Sequence, residues 1–129
     1  GVTHSEMNKH DQAVHLLQIW IQPNVQDAEP TYQQIQLNPK DHPNQWHLIA
    51  GDESAPMLIR QNAEVKTAVL EKDQHLEITA QKKVNYVHVI SGEVMIANHL
   101  VKSGDALVFD ETATITALQD SQMIWFDLP

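Results

Sequence analysis

The chain has 129 residues, of which 42% are hydrophobic and 19% charged, a composition typical of a globular domain and unlike that of disordered segments. Its formal net charge of −9 would repel nucleic-acid phosphates and anionic membrane surfaces, so neither is expected as a direct partner. The lack of cysteine excludes disulfides and thiolate ligands, and no apolar run approaches the roughly 20 residues of a membrane span. No signal peptide is evident, so a cytoplasmic location is expected.

The first predicted element is a β-strand at residues 14–21, with the sequence Val-His-Leu-Leu-Gln-Ile-Trp-Ile. Its apolar side chains fall on both faces, so this strand needs to be covered on both sides. Residues 23–44 follow, with four prolines among Asn, Gln and Asp, which is typical of a linker. We expect one edge strand within this linker, at residues 32–37. A one-turn helix near residues 28–32 is also compatible with the sequence.

From residue 45 onward, short runs of alternating apolar and polar residues are separated by turn signals. In residues 84–90 the even-numbered side chains, which include His88, share one face of the predicted strand. Gly92 and Gly104 each lie between a serine and an acidic residue, which is typical of hairpin corners. Strands are predicted at residues 45–50, 57–60, 65–71, 75–80, 84–90, 93–97, 106–109, 113–117 and 122–128. This pattern predicts a β-sandwich or small barrel with little helix.

Two groups of segments resemble known proteins. His-Val-Ile-Ser-Gly-Glu-Val at residues 88–94 and Leu-Val-Lys-Ser-Gly-Asp-Ala-Leu-Val-Phe at residues 100–109 resemble the glycine corners of the cupin superfamily. Gly-Val-Thr-His-Ser-Glu-Met-Asn at residues 1–8, followed by Leu-Gln-Ile-Trp at residues 17–20, resembles the end of the N-terminal cupin in pirins and related bacterial quercetin 2,3-dioxygenases. Residues 22–30 resemble that family's connector, and Trp-Phe-Asp-Leu-Pro at residues 125–129 resembles its C-terminus.

This resemblance implies an all-β fold: a cupin jelly-roll β-barrel that forms the C-terminal cupin of a two-cupin protein. On this interpretation residues 1–22 are a remnant of the N-terminal cupin and contribute an extra strand. Residues 23–44 are the interdomain linker, and residues 45–129 are the complete C-terminal barrel.

The resemblance also implies a metal site. Pirins bind one metal, usually iron, through three histidines and a glutamate of the N-terminal cupin, and the third histidine and the glutamate match His4 and Glu6. The upstream histidine pair has no counterpart, because the sequence begins after it. Residues two apart on a strand face the same side, so His4 and Glu6 can both face a barrel interior. Imidazole and carboxylate suit Fe(II) or another divalent metal, and Glu6 is also a candidate catalytic base in the intact protein. The alternative is that both are simply solvated residues near a chain end.

The second barrel is expected to be free of metal. The positions that hold ligands in metal-binding cupins fall near Ile78, Ala80 and Val84, which are apolar, and no histidine follows the corner at Gly104. His88 is the one polar candidate that is expected to point into the barrel, where we interpret it as a core residue or a contact for a small ligand. The remaining histidines are interpreted as surface or partly buried side chains.

The function implied by the resemblance is that of part of a metal-dependent flavonol 2,3-dioxygenase. The chain alone is expected to bind no metal tightly and to be inactive, so whether it is an enzyme stays open. The alternative is a non-enzymatic module that binds a small aromatic ligand or a protein, as pirin-type co-regulators do. Burial of the Leu, Ile and Trp side chains of residues 14–21 is worth about 1.5–3 kcal/mol each. That segment is therefore expected to dock on its own barrel, to pair with a second copy, or to bind the N-terminal half of the protein.

Overall fold

The computed structural model describes residues 2–129; Gly1, the first residue of the segment that resembles the pirin metal motif, lies outside the described residues. Regular structure begins with a short 3-10 helix at Pro39–Asp41, which Asn38 caps by accepting a hydrogen bond from the Lys40 backbone N–H. Ten strands follow: β1 (His47–Gly51), β2 (Met57–Leu58), β3 (Glu64–Leu70), β4 (His75–Ile78), β5 (Val84–Ser91), β6 (Glu93–Ile96), β7 (His99–Lys102), β8 (Ala106–Phe109), β9 (Ala113–Ala117) and β10 (Ser121–Leu128).

The strands form two sheets, one of six strands in the order β2-β1-β3-β10-β5-β8 and one of four strands in the order β4-β9-β6-β7. Every pairing is antiparallel except that of β1 with β2. The prediction of an all-β jelly roll is confirmed by this arrangement. Among residues 2–129, no helix has the length and apolar character that crossing a membrane requires.

The main core lies between the two sheets. Strand β5 illustrates this position of the core. Val87 and Val89 on its inner face are fully buried, whereas Tyr86 and His88 on its other face are only half-buried. The inward side chains of both sheets form one cluster that includes Leu70, Ile78, Val87, Val89, Val94, Ile96, Ile115, Met123 and Trp125. Burial of such side chains is worth about 1.5–3 kcal/mol each, so this cluster is the main source of stability.

A second apolar cluster lies on the outer face of the six-stranded sheet. Its buried members are Ala50, Val65, Ile124 and Phe126, and Ile21 packs against them from the N-terminal part of the chain. Strand β10 therefore buries side chains on both faces, Met123 and Trp125 on one and Ile124 and Phe126 on the other. The outer face of this sheet is thus apolar rather than solvated.

The strand predicted at residues 14–21 is wrong for this structure, because those residues join no sheet. A strand needs a partner backbone, and the segment crosses the outer face of the six-stranded sheet, where ladder hydrogen bonds are already satisfied within that sheet. Side chains of this segment nevertheless contact the chain's own barrel, which is one of the three outcomes expected above.

The edge strand predicted at residues 32–37 and the helix near residues 28–32 are also absent from the described chain. Instead, the side-chain amide of Gln33 satisfies the edge of β2: it accepts a hydrogen bond from the Leu58 backbone N–H at 2.8 Å and donates to the Leu58 carbonyl at 2.9 Å. Strand β2 ends after two residues, not at residue 60 as predicted, because its pairing with β1 runs only to Gly51↔Leu58.

Candidate functional site

The two metal-ligand candidates, His4 and Glu6, lie in a part of the chain without regular secondary structure, and both are exposed. Within residues 2–129, no three His, Cys, Asp or Glu side chains come close enough together to hold a metal ion. The chain by itself therefore does not fit the four-ligand site that the resemblance implies, because these 129 residues place at most two of the four donors. Their role as ligands remains a prediction for a longer protein.

The residues near which ligand positions were predicted by comparison with metal-binding cupins, Ile78, Ala80 and Val84, have apolar side chains. Ile78 is fully buried in the main core, and the half-buried Ala80 and Val84 are likewise apolar. The space between the sheets is occupied by side chains such as Ile115 and Met123, which are fully buried. Alkyl side chains at these positions offer no oxygen or nitrogen to a cation.

One polar group within the core was not predicted from the sequence, and it is formed by Asn85 of β5 with Trp125 and Asp127 of β10. Asn85 and Asp127 are paired in register across the two strands, and neither has exposed surface. The Trp125 indole N–H donates to Asn85 Oδ1 at 3.0 Å, and the Lys82 backbone N–H donates to Asp127 Oδ1 at 3.2 Å. Asn85 Nδ2 and Asp127 Oδ2 have no hydrogen-bond partner within the described chain.

Burial raises the pKa of Asp127, and the hydrogen bond from the Lys82 backbone and the charges of Lys82 and Lys66 only partly oppose it. The neighbouring cation Lys66 is already engaged, because its Nζ lies 2.7 Å from the Glu64 carboxylate and 4.4 Å from the centroid of the Trp125 ring. The carboxylate form of Asp127 is therefore a cost to the folded state.

The Asp127→Asn variant is expected to be more stable than the wild type at pH 7 by about 1–3 kcal/mol, because the amide keeps an oxygen for the Lys82 N–H but carries no charge for burial to disfavour. A raised pKa means that the folded state holds the proton more tightly than the unfolded state. The wild-type penalty is therefore absent below the ordinary Asp value of 3.8, grows as the pH rises through the folded pKa, and is complete above it. Urea denaturation of both proteins at pH 7 and near pH 4 should show the advantage of the variant shrinking in acid.

The exposed Asp110 supplies the matched control, since Asp110→Asn should change stability little at either pH. An Asp127→Asn advantage that is the same at both pH values would contradict a penalty that depends on ionisation.

His88 does not point into the barrel, so the predicted orientation is wrong. It pairs in register with Ile124 of β10 and shares the outer face with Tyr86 and Phe126, whereas Val87 and Val89 occupy the interior. Alternation placed His88 and Tyr86 together correctly, but both faces of β5 are apolar and the pattern could not identify the inner one. A role of His88 as a ligand contact remains a prediction, but the ligand would lie on the outer face of the six-stranded sheet and not inside the barrel.

On that outer face lies a cavity of about 540 Å³, which we call the outer cavity. Its floor contains Tyr86, His88, Ile124 and Phe126, and its roof is residues 17–22, which we call the covering segment. Two hydrogen bonds hold the far end of this segment and the residues that follow it. The Gln61 side chain donates to the carbonyl of Gln22 at 2.9 Å, and a backbone bond runs from the N–H of residue 24 to the carbonyl of residue 60 at 2.8 Å.

A jelly roll of two sheets, antiparallel apart from the β1–β2 pair and with glycine corners after β5 and β7, is an architecture that cupins share. The chain belongs to the pirin family: residues 48–128 match the family model described as the quercetinase C-terminal cupin domain.

Curated relatives agree with this assignment. The quercetin 2,3-dioxygenase of Escherichia coli K12 is 31% identical over 134 aligned residues, which cover 100% of this chain and 57% of that protein. A putative quercetin 2,3-dioxygenase of Zymomonas mobilis is 29% identical over 130 residues, which cover 96% of this chain and 55% of that protein. The chain thus spans about half the length of the curated relatives it matches.

Solved structures support the fold. The bacterial pirin YhhW of Escherichia coli in complex with nickel(II) has a TM-score of 0.73 and 21% identity, and the match covers 83% of this chain and 47% of that one. The protein YhaK of Escherichia coli has a TM-score of 0.66 and 20% identity, with 81% and 48% covered. At these identities the likeness shows the cupin fold alone.

Proposed function

We propose that this chain is the C-terminal part of a pirin-family protein that catalyses metal-dependent 2,3-dioxygenation of flavonols such as quercetin, and that these 129 residues alone are inactive. The observation that carries the proposal is the match of residues 48–128 to the quercetinase C-terminal cupin domain, together with curated relatives that bear the name quercetin 2,3-dioxygenase. The barrel would contribute a folded support, because its interior is filled mainly by apolar side chains.

In the complete protein, His4 and Glu6 would provide an imidazole nitrogen and a carboxylate oxygen to a divalent metal such as Fe(II), which supplies the Lewis acidity for the oxidation. In that complete site Glu6 would also accept the proton of the flavonol hydroxyl, which is the role of a general base. Both side chains are exposed in this chain, so they are available to a site that another part of the protein completes.

The experiment is to follow the loss of quercetin absorbance and the consumption of oxygen with added Fe(II) or Ni(II). The chain alone is expected to give no turnover above the metal-only background, with the quercetin 2,3-dioxygenase of Escherichia coli as the positive control. Metal-dependent turnover by the chain that His4→Ala removes would contradict its inactivity. Failure of a longer protein containing these 129 residues to turn over any flavonol would contradict the dioxygenase proposal.

A second candidate is an interaction module, favoured by the exposed apolar side chains of residues 14–21. Val14 is 58% exposed, Leu16 54% and Trp20 85%, so this stretch presents an apolar surface that water does not favour. We propose that the N-terminal half of the protein covers it, with a second copy of the chain as the other occupant. Light scattering on the samples used for the turnover assay distinguishes the two occupants. A monomeric mass that is the same for the wild type and for Trp20→Ser would contradict pairing between two copies of the chain.

A further inference from the structure

The outer cavity has the size and position of a small-molecule site. Its volume of about 540 Å³ falls within the range of roughly 300–1,000 Å³ that ligand pockets occupy. The floor belongs to β5 and β10, which are central strands of the six-stranded sheet, so it is rigid. The roof is the covering segment, which is bonded to the barrel at Gln22. A cavity with a fixed floor and a roof anchored at one end can admit a ligand beneath the roof.

The chemistry of the walls defines the class of ligand. The lining contains no Lys, Arg, Asp or Glu side chain. Most of it is aliphatic or aromatic, and the Tyr86 and Phe126 rings meet edge to face with centroids 5.7 Å apart. Flat aromatic molecules pack well against such rings. With no lining cation and a net charge of −9 on the chain, an anionic ligand is disfavoured.

His88 is one of several polar side chains that line this cavity. His88 is half-buried on the floor, and within residues 2–129 its imidazole makes no hydrogen bond. A polar group in apolar surroundings gains most from a ligand that supplies the missing hydrogen bond. An aromatic hydroxyl is suited to this position because it both donates and accepts, so it can pair with either tautomer of the imidazole.

We propose that the outer cavity binds an uncharged, flat aromatic molecule that carries a hydroxyl group, with the ring between the covering segment and Phe126 and the hydroxyl on His88. The site is separate from the metal-ligand candidates, since neither His4 nor Glu6 lines it. Binding is therefore independent of metal and involves no turnover. The proposal does not rest on the proposed dioxygenase function.

The test uses 2-naphthol as the probe and the 129-residue chain without metal. Calorimetry is expected to show one site per chain. NMR shift changes are expected to map to residues 17–22 and to the outer faces of β5 and β10. Naphthalene, which lacks the hydroxyl, should bind about three- to tenfold more weakly, the equivalent of one neutral hydrogen bond. Naphthalene-2-sulfonate should also bind more weakly than 2-naphthol.

His88→Leu should remove the preference for 2-naphthol over naphthalene while it keeps the apolar binding. His99→Leu is the matched control, because His99 is an exposed histidine on β7 of the other sheet, and it should leave the preference unchanged. The NMR map of the wild-type chain tests the location even if His88→Leu fails to fold. Absence of saturable 2-naphthol binding, shift changes confined to the four-stranded sheet, or a preference that survives His88→Leu would each overturn the proposal.

Discussion

Gly92→Ala is expected to destabilise the chain by about 3 kcal/mol or more, because two independent costs fall on one residue. Gly92 forms the corner between β5 and β6 with φ +91°, a conformation that costs an L-residue about 1–3 kcal/mol. A Cβ there would also lie 2.6 Å from the Asp120 carbonyl oxygen and 2.7 Å from Ser121 Cα, both of which are backbone atoms. Relief of such overpacking requires the chain to move, at a further cost of about 1–3 kcal/mol.

The surrounding bonds show what that movement would break. The Ser121 hydroxyl oxygen accepts a hydrogen bond from the Glu93 backbone N–H at 3.0 Å, and the Ser103 N–H donates to the Gly92 carbonyl at 3.0 Å. The corner thus joins β5 and β6 to the start of β10 and to the next corner. A shift at residue 92 would disturb both sheets at once.

Gly104→Ala is the matched control for this prediction. Gly104 has φ +89°, nearly the same as Gly92, but no atom lies within 4 Å of the position that a Cβ would take. Only the conformational cost remains, about 1–3 kcal/mol. Urea denaturation of the two variants beside the wild type separates steric from conformational cost, and equal losses of stability would contradict the steric account.

These corners were also the features most readily predicted from the sequence. A glycine between a serine and an acidic residue specifies a turn locally, and alternation over 4–8 residues specifies a strand locally. For that reason the strands on both sides of Gly92 and the strand after Gly104 occur within a few residues of their predicted bounds, whereas β7 before Gly104 was not predicted. Both the glycine turns and the alternating strands are specified by neighbouring residues and do not depend on distant parts of the chain.

The sequence could not predict features that depend on pairing at a distance. Residues 14–21 have the composition of a strand, but a strand exists only where a neighbouring backbone offers free hydrogen bonds. The orientation of His88 failed for a related reason, since β5 carries apolar side chains on both faces. The burial of Asp127 was not predicted, because acidic residues are usually exposed and nothing in the local sequence sets this one apart, yet it has no exposed surface.

The metal prediction has the largest expected effect. These 129 residues contain two of the four donors that the family resemblance implies, and both are exposed. Loss of a supporting partner alone costs a metal site about 10–100-fold in affinity, so loss of two direct ligands should cost roughly a hundredfold or more. Preorganisation is missing as well, because His4 and Glu6 lie outside any strand or helix.

Anaerobic calorimetric titration of Ni(II) and Fe(II) into the chain measures this directly, with the Escherichia coli pirin whose structure contains nickel(II) as the reference. His4→Ala combined with Glu6→Ala tests the assigned donors, and His88→Leu tests whether the outer face of the barrel contributes. Binding to the chain is expected to be weak, roughly a hundredfold or more below the reference, and the double variant should abolish it whereas His88→Leu should leave it unchanged. Tight binding of one metal per chain that survives the double variant would contradict this prediction.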